Sequence, residues 1–106
     1  MNKKYIIRKN EEISKIVKTG KKVSNNLFVI YYKDNDIKHN RYCVSVSKKI
    51  GKANVRNLFK RRIKDILMKN IIDYSCDYVI ILRQAILGVN YEIMKNELIN
   101  LMKGEK

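Results

Sequence analysis

Apolar residues recur every three or four positions in three stretches of the chain and cluster as short β-branched or aromatic runs in three others, which predicts three helices and three strands. Ile13, Ile16 and Val17 mark one face of a first helix. Asn10 is its expected cap, Glu11 and Glu12 lie at the positive end of its dipole, and Thr19-Gly20 is its expected stop. Residues 27–32 and 42–47 read as two antiparallel strands separated by the polar Lys33-Asp34-Asn35-Asp36 stretch. In the second strand Tyr42, Val44 and Val46 share one face and Cys43, Ser45 and Ser47 the other. Gly51 separates this strand from a helix over 54–70, with Asn54 as cap and Val55, Leu58, Phe59, Ile63 and Ile66 as core stripe. The uninterrupted apolar run 78–82 predicts a central strand buried on both faces. Tyr91, Met94, Leu98, Leu101 and Met102 then define a last helix that closes before Gly104. The order α-β-β-α-β-α, with room for one further short strand, predicts an α+β fold, a small two-layer sandwich.

A chain of 106 residues with no Pro, no linker-like segment and no repeat has material for one core, so residues 1–106 read as a single domain. Ile, Val, Leu and Phe supply about 31% of it, enough to fold despite a net charge of +14. That charge is concentrated. From residue 37 to 64 there is no acid, while Lys38, Arg41, Lys48, Lys49, Lys52, Arg56, Lys60, Arg61, Arg62 and Lys64 are all basic. A solvated structural face mixes signs, because like charges at helical spacing repel. Here Asn57, Lys60, Arg61 and Lys64 face away from the core stripe, with Arg56 at its flank, and form a basic ridge suited to a polyanion. The chain has no helix-turn-helix or zinc-finger pattern for reading DNA, and tyrosines on its candidate strands suit single-stranded RNA, so RNA is the expected partner rather than DNA.

Other chemistry is sparse. No window approaches the ~20 consecutive apolar residues of a membrane span, and the start of the chain has too short an apolar stretch for a secretory signal, so a cytoplasmic protein is expected. Cys43 and Cys76 lack zinc-site spacing, and His39 has no second histidine to work with; a small buried thiol and a surface ring are the ordinary roles. The acids are scattered, with no nucleophile or metal-binding motif, which argues against a stand-alone nuclease. A basic interfacial membrane protein needs a wider apolar helix face than these stripes offer. A ribosomal or tRNA-binding protein with the same basic helix stays open.

Residues 45–65, SVSKKIGKANVRNLFKRRIKD, resemble the signature of the bacterial ribonuclease P protein subunit: a strand, a Ser-Lys-Lys-x-Gly turn, then a helix opening Arg-Asn-Arg-x-Lys-Arg. Ser47, Lys48, Lys49, Gly51, Ala53, Arg56, Asn57, Lys60 and Arg61 match, and the likeness continues through RKNEEISKIVKTGKKVSNNLFVIYY upstream and DYVIILRQA downstream. The resemblance implies an α+β sandwich with an unusual left-handed βαβ crossover, against the general right-handed rule. It implies a protein cofactor of a catalytic RNA that removes the 5′ leader of precursor tRNA by phosphodiester hydrolysis, with Mg²⁺ held chiefly by the RNA and no catalytic or metal-binding residue in the protein. On this resemblance Lys48, Lys49 and Lys52 in the turn, and Arg56, Asn57, Lys60, Arg61 and Lys64 on the helix, contact RNA. Ile13, Val17 and Tyr31 line a cleft for the single-stranded leader, with Arg83 at its edge, although Ile13, Ile16 and Val17 also fit an ordinary core.

Two departures stand out. Many family members carry aromatics where this chain has Ile13 and Val17, so base stacking, about 1–3 kcal/mol per aromatic, is weakened there or replaced by apolar contact. The third arginine of the motif is Leu58, while Arg62 occupies a position where an apolar residue is common. Positions 58 and 62 are i,i+4 neighbours on one helix face, so Arg62 is expected to supply the displaced charge.

Overall fold

The computed structural model describes residues 2–71 and 74–104. A 3₁₀ turn at Lys3–Tyr5 leads to helix α1 (Asn10–Thr19), strands β1 (Lys21–Ser24), β2 (Phe28–Asp34) and β3 (Arg41–Ser45), helix α2 (Ala53–Asn70), strand β4 (Cys76–Leu82), a second 3₁₀ segment (Gln84–Gly88) and helix α3 (Tyr91–Gly104). The further short strand is β1. The strands form one mixed sheet in the order β1-β2-β4-β3. β1 and β4 both pair antiparallel to β2, and β3 runs parallel to β4 through the α2 crossover.

β2 and β3 do run in opposite directions, but they are not neighbours. β4 inserts between them, because its unbroken apolar run can be buried on both faces while β2 and β3 each have a less apolar side. On one face Phe28, Ile30, Tyr32, Tyr42, Tyr78, Ile80 and Leu82 meet Phe59, Ile63, Ile66 and Leu67 of α2 and Met94, Leu98 and Met102 of α3. This is the main core, where each large side chain removed from water contributes roughly 1.5–3 kcal/mol. On the other face a smaller cluster joins Ile7, Ile16 and Val79, with Ile13, Tyr31, Cys43 and Ile81 packed against it.

Three local expectations need correction. Neither Asn10 nor Asn54 caps its helix: the caps are Lys9 and Lys52, without side-chain capping bonds, and both helices begin a residue or so earlier than the apolar pattern suggests. Leu58 is not in the core stripe but 37% exposed; Leu67 is buried in that stripe instead. The last helix extends through Gly104. Gly20 does end α1, by close approach and not by a left-handed turn: a Cβ there would lie 2.5 Å from the Ile16 carbonyl oxygen and 2.6 Å from that of Tyr32. The helix end is thus pressed onto β2. Among the described residues no helix is long and apolar enough to cross a membrane.

Candidate nucleic-acid interface

The turn from β3 into α2 is built by burying its two apolar residues. Val46 and Ile50 insert into the core, the Ile50 amide donates to the Ser47 carbonyl at 3.1 Å, and Lys48, Lys49 and Lys52 are thrown outward. Gly51 permits the tight approach to the first turn of α2, since a Cβ would stand 2.9 Å from Val55 Cγ1. The ridge then continues along α2. Asn57 and Arg61 are exposed, and Lys60 and Lys64 are half-buried on the flank nearest β3. Their ammonium groups act on the Cys43 thiol of β3: burial pushes this thiol above its ordinary value, and Lys60 and Lys64 partly oppose the shift.

Arg56 falls on the core-facing flank of α2, where its Nε is shielded from solvent and has no hydrogen-bond partner. Arg62 lies on the opposite flank, its guanidinium 5.8 Å from the Phe59 ring centroid and on the same side as exposed Leu58. The single acid of α2, Asp65, is held below the usual carboxylate range by hydrogen bonds from Lys69 and then from Tyr91 of α3. It lines one surface pocket with Arg61, Lys64 and Met68, so the ridge is bordered there by a single acid that Lys69 and Tyr91 engage.

The second surface is a groove on the α1 face of the sheet. α1 begins beside β3, where Glu12 meets Arg41, and ends against Tyr32 of β2, so it crosses only one end of the strands. Ile16 points into the sheet, Ile13 is half-buried beside it and Val17, 37% exposed, stands on the flank. Beyond that flank the floor is left open: half-buried Tyr31, Val29, Cys43 and Ile81, with Ser45 exposed. Arg83 lies past the end of β4, its side chain donating to the Asn25 carbonyl at 3.3 Å. The structure thus brings Ile13, Val17 and Tyr31 to one groove and leaves Arg83 near its far rim. Lys60 and Lys64 flank the groove at Cys43, so ridge and groove are continuous.

Arg41 leaves the set of free cations. Its Nε donates to Asp77 Oδ1 at 2.9 Å, and its Nη2 donates to Asp77 Oδ2 at 2.7 Å and to Glu12 Oε2 at 2.9 Å. It ties α1 to the sheet and so sets the wall of the groove. Nothing in the local pattern marks this role, because its partners lie 36 and 29 residues away in sequence. His39 is half-buried, not freely exposed, edge-on to Tyr5 at 5.3 Å. Among the described residues no group of three or more His, Cys, Asp or Glu side chains could hold a metal ion.

A strongly basic ridge running into a half-open apolar groove with an aromatic floor defines a small α+β protein of the polyanion-binding class. The chain matches the Ribonuclease P family over residues 1–105. It is 42% identical to the ribonuclease P protein component of Mycoplasma mycoides, with 97% of each chain aligned. It is 39% identical to that of Streptococcus agalactiae, over 97% of this chain and 95% of the relative. Its fold is similar to the solved RNase P protein of Staphylococcus aureus, with a TM-score of 0.87, 36% identity and coverage of 96% and 95% of the two chains. The RNase P protein of Thermotoga maritima gives 0.83 at 30% identity, covering 92% and 94%. The chain belongs to the ribonuclease P protein family.

Proposed function

We propose that this chain is the protein subunit of a ribonuclease P holoenzyme, an RNA-dependent endoribonuclease of the cytoplasm that removes the 5′ leader of precursor tRNA. Lys48, Lys49 and Lys52 in the turn, with Arg56, Asn57, Lys60, Arg61, Arg62 and Lys64 on α2, bind the catalytic RNA and nearby phosphates. Each cation that neutralises a phosphate releases counterions, so assembly weakens steeply with salt. Ile13 and Val17 form the wall and Tyr31 the floor of a cleft for the single-stranded leader, and Arg83 reaches its backbone at the rim. Stacking of a base on Tyr31 contributes roughly 1–3 kcal/mol, while the aliphatic wall supplies apolar contact without stacking.

The observation that carries this reading is the continuity of ridge and groove at Cys43, where Lys60 and Lys64 stand beside the cleft floor. One protein can then hold the catalytic RNA and the strand to be cleaved in fixed relation, which is catalysis by positioning. Mg²⁺, held chiefly by the RNA, supplies the Lewis acidity of phosphodiester hydrolysis; no residue of this chain is assigned as its ligand.

The test is single-turnover cleavage of a precursor tRNA by a bacterial ribonuclease P RNA at low Mg²⁺, with and without this protein, and with the protein alone. Cleavage at the mature 5′ end is expected only when both are present. Binding to both RNAs with no change in cleavage would make the chain a general RNA-binding protein, and cleavage by the protein alone would make it a nuclease.

A further inference from the structure

A second acid-free stretch runs from Ile13 to Lys33 and carries Lys15, Lys18, Lys21, Lys22 and Lys33. The structure sends these lysines in different directions. Lys33 Nζ donates to Thr19 Oγ1 at 2.9 Å, and that hydroxyl donates to the Lys15 backbone carbonyl at 2.7 Å, which holds Lys33 against the last turn of α1. Lys15, four residues before Thr19, shares its helix flank by spacing, opposite the Ile13–Val17 flank that faces the open groove. Lys21 stands opposite Tyr32 and shares the face of the main core with Val23, by the alternation of β1. Lys22 differs. It stands opposite Tyr31, on the groove side of the sheet, and its exposed ammonium lies 5.8 Å from the Tyr31 ring centroid.

The position of Lys22 along the groove gives this contact a use. The groove follows α1 and crosses the strands from β3, through β4 and β2, to β1. The α2 lysines flank it at the β3 end. β1, the opposite edge of the sheet, is three strand spacings away, roughly 14 Å. Among the described residues Lys22 is the cation that the β1 register places on the groove side of that edge. Resting on the ring that would stack a base, its flexible four-carbon stem needs only a rotation to bring Nζ to the phosphate of that nucleotide or the next.

We propose that Lys22 is the distal phosphate clamp of the leader cleft, so that the leader runs parallel to α1 from the α2 ridge, across Tyr31, and leaves the protein past β1. This rests on the cleft reading above. It orients the leader: the scissile bond lies at the α2 end, where the catalytic RNA is held, and the nucleotides farther toward the 5′ end reach Lys22. The protein then distinguishes precursors by leader length. A leader too short to cross the sheet gains nothing from Lys22.

A lysine on an exposed edge strand has an ordinary alternative, which is to discourage edge-to-edge pairing with another chain. The two roles separate cleanly. Affinity of the reconstituted holoenzyme is measured for precursor tRNAs whose leaders increase one nucleotide at a time, as a function of salt, with wild type, Lys22→Gln, Lys22→Arg and, as control, Lys15→Gln. Lys22→Gln is expected to weaken long-leader precursors by roughly threefold to tenfold and to flatten the salt slope by about 0.7, the share of one single-strand phosphate contact. It leaves short-leader precursors unchanged, Lys22→Arg restores the wild-type profile, and Lys15→Gln has no effect. If wild type gains affinity from the leader but Lys22→Gln shows the same length profile and salt slope, the clamp is wrong and the cleft reading stands. If wild type gains nothing from any leader, the cleft reading itself falls and the clamp with it.

Discussion

Removing the guanidinium of Arg41 should loosen the whole α1 face. Arg41→Met keeps most of the apolar stem but deletes two hydrogen bonds to Asp77, at 2.9 and 2.7 Å, and one to Glu12 at 2.9 Å. Asp77, only 8% exposed, keeps the Asn35 amide at 2.8 Å but loses its countercharge. Breaking a buried pair from one side is worth about 3–5 kcal/mol, and the more exposed Glu12 end adds less than about 1 kcal/mol. Because the Arg41 side chain is 21% exposed, the loss falls at the lower end, about 3 kcal/mol. For a domain of about 100 residues each kcal/mol moves Tm by roughly 4–8 °C, so the melting point should fall by about 12–24 °C.

Thermal unfolding followed by circular dichroism measures this directly. Arg41→Lys should recover only part of the loss, because an ammonium cannot reproduce the two-pronged grip on Asp77. Glu12→Gln should lower stability by less than about 1 kcal/mol. The guanidinium is held above its already high ordinary value, chiefly by its hydrogen bond to Asp77 and against the desolvation that opposes it. The stability contributed by a raised basic group is present below its unfolded pKa and lost only as pH rises through the folded one, here beyond the working range, so the arginine's own titration gives the substitution no pH dependence up to moderately alkaline pH. A loss under about 1 kcal/mol for Arg41→Met would refute the idea that this triad fixes the groove wall.

Gly20→Ala should destabilise by about 1–3 kcal/mol, measured by urea unfolding, because the new methyl collides with two backbone oxygens and must lift α1 off β2. Arg62→Ala should lower the affinity of the protein for the catalytic RNA and flatten its salt dependence, whereas Leu58→Ala should change that affinity no more than its small folding loss allows; equal effects would remove Arg62 as the substitute charge. Cys43 offers a built-in reporter of the cleft. Its thiol should alkylate with a midpoint above the free-cysteine value of about 8.5, since burial dominates its shift, and a bound leader oligonucleotide should slow the reaction. Absence of protection would place the strand elsewhere. Fully buried Cys76 should stay unreactive while the fold persists.

The elements themselves were legible because burial writes itself as periodicity: the unbroken run at 78–82 marks the central strand, and Met94, Leu98 and Met102 mark the inner face of α3. Pairing was not. That β4 separates β2 from β3 is a fact about long-range packing, and a polar stretch between two apolar runs looks the same whether or not they form a hairpin. The ridge was legible because uniform charge over a helix face has no structural explanation, but charge alone could not show that Arg41 is consumed by Asp77 and Glu12. Leu58 departs from the pattern because an apolar residue at helical spacing looks buried, whereas on the flank of α2 beside Arg62 it faces solvent. The groove depends on how far α1 reaches across the sheet. That distance is set by Gly20 against Tyr32 and by Arg41 against Glu12, contacts no local pattern contains.

The central claim is that one face of this protein holds the catalytic RNA and the adjoining groove holds the leader. It is tested most directly by the affinity of the reconstituted holoenzyme for precursor tRNA and for the same tRNA without its leader, with wild-type protein and with Tyr31→Ala. Wild type should prefer the precursor, and Tyr31→Ala should reduce that preference by roughly tenfold, the worth of one stacked base, while leaving affinity for leaderless tRNA unchanged. Equal affinity of the wild-type holoenzyme for the two RNAs, or equal weakening of both by Tyr31→Ala, would contradict the account.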